Sequence, residues 1–152
     1  MESRKRRLKI AVDAALAILL IASFMTGHAD VHLHAALGLL FLVCIIVYAI
    51  ISHQKIVQTT KRVASSSMRK VARIDCCLGL AMVVLLVTIF WSGASLMHAR
   101  MAEGLDFDAV AGTPSFIVHV CGSALFILCA LAHAWINRER LEKLLHPEKG
   151  AA

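Results

Sequence analysis

The chain has 152 residues and a formal net charge of +6, with 59% hydrophobic and 17% charged residues. At a mean hydropathy of +0.76 it lacks the polar surface to cover a soluble globule, in which roughly 45–50% apolar and 25% charged residues are usual. The same figures exclude a disordered chain, and two prolines with eight glycines exclude a collagen-like or linker-rich one.

Four apolar stretches follow one another, about Ile10–Gly27, Leu33–Ser52, Ile74–Met97 and Ser115–Ile136. Each is close to the ~20 residues that a helix needs to cross ~30 Å of hydrocarbon. Helix is the open-chain solution there, because an unpaired backbone group in lipid costs several kcal/mol. The expected fold is therefore all-α: an integral membrane four-helix bundle forming a single transmembrane domain over residues 1–152. The first stretch follows the basic run Arg4–Lys9 as a signal peptide would. Its apolar core is long, however, and no small-x-small cleavage site follows Phe24-Met25-Thr26-Gly27, so we read it as a retained helix.

The cations give the orientation. Arg4, Lys5, Arg6, Arg7 and Lys9 precede the first helix. Lys55, Lys61, Arg62, Arg69, Lys70 and Arg73 lie in or beside the basic loop 54–73. Arg138, Arg140, Lys143 and Lys149 lie in the charged tail 138–152. The other two connections share Arg100 alone and carry Asp30, Glu103, Asp106 and Asp108. Both termini and the middle loop are expected on the cytoplasmic side of a cell inner membrane, with the loop against anionic headgroups. Membrane lipid, rather than nucleic acid, accounts for the basic charge.

All five cysteines (Cys44, Cys76, Cys77, Cys121 and Cys129) fall within these helices, where small apolar packing is their expected role. There is no C-x-x-C and no C-x-x-C-H for covalent haem attachment. The chain also repeats itself. Laying the stretch from His34 over the stretch from His119 without a gap matches Leu40 to Leu125, Phe41 to Phe126, Cys44 to Cys129 and Ala49 to Ala134. The first and third helices end alike, as Phe24-Met25-Thr26-Gly27 and Phe90-Trp91-Ser92-Gly93. Two helical-hairpin repeats are the expected architecture.

Eight histidines concentrate the chemistry. His119 and His133 lie inside the fourth stretch, where an ionisable side chain is costly and usually functional. Fourteen residues separate them, about 40° short of four turns and about 21 Å along the axis. They share a face at opposite depths, which suits one metal centre near each leaflet and excludes a shared zinc. Haem iron takes axial imidazoles from facing helices. His34, the repeat mate of His119, would complete an outer haem, and Gly38 and Gly122 remove side chains one turn further in. Ordinary helix packing is the plainer account of those glycines. For an inner haem, repeat symmetry pairs His133 with Tyr48, a poor axial ligand. His53 has the right chemistry but lies about 100° off the His34 stripe, so it needs a frayed helix end at Ser52-His53-Gln54 or an inward swing of its ring.

The four-helix plan, His34-Ala-Ala-Leu-Gly38 and His133-Ala-Trp-Ile-Asn137 resemble small membrane-bound b-type cytochromes, and are most similar to the flavinylation-associated cytochrome domain family. The resemblance covers roughly residues 9–140. It implies two bis-histidine haem b groups, or one, passing electrons between the quinone pool and a flavin- or haem-bearing extracytoplasmic partner. On that reading the chain is an electron-transfer subunit of an oxidoreductase system, with quinone as a candidate substrate. Tyr48, where the repeat expects histidine, departs from the pattern.

Other groups keep plainer readings. His28, Asp30, His32 and His98 form a solvated outer rim, or else a quinone contact, a proton exit or a divalent-metal site. Asp13 and Asp75 are neutralised by Lys9 and Arg73 or by snorkelling, or else take up protons. Trp91 and Trp135 anchor the helices at the two faces, and His146 lies in the tail. A histidine-based metal or proton transporter and a non-catalytic structural subunit are the competing function classes.

Overall fold

The computed structural model is all-helical and describes residues 2–27, 29–64, 70–102, 104, 107–138 and 142. In chain order the helices are α1 (Glu2–Thr26), α2 (Val31–Ala64), α3 (Lys70–Ala102), α4 (Phe107–Ala111) and α5 (Pro114–Ile136). They group into two compact units, one holding α1 and α2, the other α3, α4 and α5. Within the first, α1 packs along α2. Within the second, α3 packs along α5.

Three helices are long and apolar enough to cross a membrane: Val31–Gln54 of α2, Lys70–Ala102 of α3 and Pro114–Ile136 of α5. The apolar part of α1, Ile10–Thr26, is shorter, at 1.5 Å per residue about 25 Å. Many exposed helix positions carry large apolar side chains. Ile18, Ile21, Leu128 and Leu131 are each more than 60% exposed, a surface suited to lipid and not to water. Among the described residues the buried apolar side chains are Phe41, Val110 and Phe126. Phe41 and Phe126 are the two phenylalanines that the sequence register superposes.

The helices overrun the apolar stretches. Where the sequence places helix ends at Ile10 and Ser52, α1 starts at Glu2 and α2 continues to Ala64. Much of the basic loop expected over 54–73 is thus helix. Lys, Arg and Gln are good helix formers, and nothing obliges a helix to stop where its apolar face does. The short α4 was not foreseen. Most of the tail, His28 and His146 lie outside the described residues.

Helix ends follow local chemistry. Thr113 caps α5, its Oγ1 accepting from the Phe116 N–H at 3.3 Å, with Pro114 in the first turn. At the other end Asn137 donates its backbone N–H to the His133 carbonyl at 3.1 Å. Hydroxyls inside helices bond back to their own turn: Thr26 to Ala22 O, Thr88 to Val84 O, Ser92 to Thr88 O and Ser95 to Trp91 O. Such bonds satisfy a polar group where water is absent.

Cys44, Cys76 and Cys129 are half-buried, whereas Cys77 and Cys121 are exposed, so packing describes three of the five. All five are free thiols. Trp91 and Trp135 are both exposed, and the Arg138 guanidinium lies 4.4 Å above the Trp135 ring, as suits an interfacial anchor.

Asp30 turns out to be a helix cap. Its Oδ1 accepts from the backbone N–H of His32 at 2.8 Å and of Leu33 at 3.1 Å. The Leu33 bond, then the His32 bond, holds its carboxyl below the usual carboxylate range. A carboxyl depressed by folding stabilises above its unfolded value and loses that contribution as pH falls through its folded value. Thermal unfolding in detergent should therefore show wild type losing stability below about pH 4 relative to Asp30→Asn, which caps without titrating. Parallel acid profiles of the two proteins would refute the cap.

Candidate functional site

His34 in the first unit and His119 and His133 in the second each face a specific partner. His34 opens α2 and turns back onto α1, where its Nδ1 meets the Ser23 carbonyl at 2.7 Å. A carbonyl can only accept, so Nδ1 carries the proton. The ring lies over Gly27, where an added Cβ would meet Nδ1 at 3.6 Å and Cε1 at 3.7 Å. The turn allowing this return is tight, with Ala29 and Asp30 both donating to the Thr26 carbonyl at 3.1 Å.

His119 repeats the arrangement in the second unit. Its Nδ1 meets the Ile89 carbonyl of α3 at 3.0 Å, with Ser92 Oγ at 3.4 Å. Ser92 is nearly fully buried, at 4% exposure. Its hydroxyl is directed to the Thr88 and Ile89 carbonyls at 2.8 and 3.0 Å, as that of Thr26 is to Ala22 and Ser23 at 2.9 and 3.1 Å. The ring presses on Gly93, where a Cβ would meet its Cε1 at 3.0 Å and its Nδ1 at 3.2 Å. Ser23 and Ile89 each precede their Phe-x-x-Gly ending by one residue, so each ring meets the corresponding carbonyl and glycine. In both, Nδ1 is the donor and the lone pair falls on Nε2, which is left as the acceptor of the ring.

At the opposite end of α5, His133 meets an acid. Asp75 Oδ1 on α3 lies 2.9 Å from His133 Nδ1. Nδ1 is buried and off the hydrogen-bond axis of the carboxylate, so the contact is an ion-pair separation and not yet an aligned bond. Asn137 Nδ2 donates to the same Oδ1 at 2.7 Å and to the His133 carbonyl at 3.0 Å. Neutralisation of Asp75 through Arg73 thus gives way to engagement by α5. Two residues apart on a helix, Arg73 and Asp75 do not share a face, whereas α5 presents an imidazole and a carboxamide directly opposite.

Gly122 packs against α3, where a Cβ would meet Ile89 Cγ1 at 3.3 Å, and a Cβ at Gly38 would meet nothing within 4 Å. His53 is exposed and closes one end of a groove of about 440 Å³ lined by Ile46, Ala49 and Ile50. The frayed end invoked for it is absent, since α2 runs on to Ala64, leaving His53 on the Ile46–Ala49–Ile50 stripe. His32 and His98 are exposed. Among the described residues no group of three or more His, Cys, Asp or Glu could hold a metal ion; His28 lies outside them. Ser23, Gly27, Ser92, Gly93 and the Asp75–Asn137 pair escaped the sequence reading as site residues, although the shared Phe-x-x-Gly endings already marked two of them.

No family model, curated protein or solved structure matches this chain.

The two glycines differ in tolerance. At Gly27 a methyl makes ordinary contact and φ is not positive, so Gly27→Ala should be near neutral. At Gly93 it meets a ring pinned by Ile89 and Ser92, so Gly93→Ala should cost about 1–3 kcal/mol. Detergent unfolding of the two variants side by side checks this, and equal stabilities would contradict it.

Proposed function

We propose that the chain is a four-helix, multi-pass inner-membrane b-type cytochrome built from two hairpin repeats with cytoplasmic termini. It carries electrons between the quinone pool and a flavin- or haem-bearing partner outside. The observation carrying this reading is that His34 and His119 each donate Nδ1–H to a backbone carbonyl of the helix that their own helix packs along. Axial imidazoles are commonly oriented in this way, because the outer bond fixes the tautomer and raises ligand basicity. The residues present therefore fit a haem.

On this reading His34 and His119 supply Nε2 to an outer haem, a pairing that follows from the sequence register. His133 supplies an inner one, with His53 as its candidate partner. Bound haem b would supply one-electron chemistry through its iron. The chain's own contributions are separable. Ser23 and Ile89 fix the ring orientation, Gly27 and Gly93 make room for it, and the apolar helix faces exclude water. With no C-x-x-C-H motif, attachment would be non-covalent.

Acid-acetone should extract the pigment, and a pyridine haemochrome assay should identify haem b. His34→Ala and His119→Ala should each abolish the outer haem, and His133→Ala only the inner. His53→Ala should turn the inner haem five-coordinate and high-spin, or lose it, whereas Tyr48→Phe should leave the spectrum unchanged. Low-temperature electron paramagnetic resonance separates these states. A colourless preparation from haem-replete cells would overturn the proposal and promote a histidine-based transporter.

A further inference from the structure

The second unit treats its two histidines unequally. His119 Nδ1 meets a neutral carbonyl, but His133 Nδ1 meets a carboxylate, Asp75, held in turn by Asn137. We infer that Asp75 is the positioning residue of His133, and that its charge sets the inner centre at a lower reduction potential than the outer one. This rests on the proposed haem ligation.

Four features carry the inference. Asp75 is an acid within a helix apolar enough to span a membrane, where a carboxylate is costly unless engaged. Its Oδ1 takes the Asn137 carboxamide at 2.7 Å, and that amide also grips the His133 carbonyl at 3.0 Å. The carboxylate is thereby fixed relative to the turn that bears the imidazole. His133 Nδ1 is buried, 2.9 Å from that oxygen, within hydrogen-bond distance of it. Donation of Nδ1–H to the carboxylate leaves the lone pair on Nε2.

The arrangement is also confined to one unit. Helices α1 and α3 align at an offset of 66 residues, and α2 and α5 at 85. The positions of Asp75, His133 and Asn137 then correspond to Lys9, Tyr48 and Ser52. The carbonyl clamp occurs in both units, whereas the acid–imidazole–amide set belongs to the second. Its physical effect differs from that of a carbonyl. A carboxylate on the outer nitrogen gives the imidazole partial imidazolate character, and that added electron density favours ferric over ferrous iron. Local negative charge acts in the same sense.

The test is a redox titration of the full-length haem-loaded protein in detergent, followed by visible spectrum. Wild type should show two midpoints, with His133→Ala removing the lower. Asp75→Asn keeps the shape and an acceptor oxygen but removes the charge, and should raise the lower midpoint while leaving the upper in place. Asp75→Glu should restore the low value. Two midpoints unmoved by Asp75→Asn, or both moved equally, would overturn the inference while the haem reading stands. So would a wild type with one midpoint. If Asp75→Asn loses the inner haem, retention in Asp75→Glu supports the positioning role and loss in both overturns it. A colourless wild type overturns the haem reading and this inference together.

Discussion

The structure depends on the need to satisfy polar groups where the surrounding medium offers no partner. Helices this apolar on their outward faces cannot send a hydroxyl, imidazole or carboxylate to water without distortion. Several such groups turn to their own chain. Thr26, Thr88, Ser92 and Ser95 bond back along their own helices. His34 crosses to α1 and His119 to α3, and Asp75 crosses in the opposite direction, from α3 to the end of α5. These crossings tie each helix pair together at defined heights, which apolar packing alone would leave free to slide.

The crossings depend on small residues. An imidazole reaches a main-chain carbonyl on a neighbouring helix only where no side chain stands between them. Gly27 and Gly93 provide that gap, loosely in the first unit and tightly in the second. A carbonyl that accepts from a side chain is already used by its own helix, and its second lone pair allows the double duty. Thr26 and Ser92 share those acceptors in the same way, and the second clamp is the tighter because its ring lies closer to the glycine and also meets the buried Ser92 hydroxyl.

An orientation device of this kind has consequences for chemistry. A histidine bonded through Nδ1 presents Nε2 in a fixed direction, the requirement of an axial ligand. The partner chosen for Nδ1 then tunes the ligand. A neutral carbonyl orients it, while a carboxylate both orients it and adds electron density. Along α5 the second unit sets one imidazole, His119, on a carbonyl and another, His133, beside a carboxylate, about 21 Å apart on an uninterrupted helix.

The all-helical class and the approximate apolar spans were legible in the sequence, as were His34, His119 and His133 as ionisable groups within those spans, because apolar runs of helical length and polar breaks in them are one-dimensional signals. Gly27 and Gly93 were visible as parts of matching endings, but their purpose was not. Helix ends were misjudged at Ile10 and Ser52, since polar helix formers continue a helix beyond its apolar face. The tertiary structure alone decided that Asp30 caps α2, that Gly122 packs on Ile89, and that Asp75 turns to His133 and Asn137 and not to Arg73. Spacing along a helix tells which residues share a face. Which groups meet across two helices depends on their relative height and rotation, and these are set by side chains 58 and 62 positions apart in the chain.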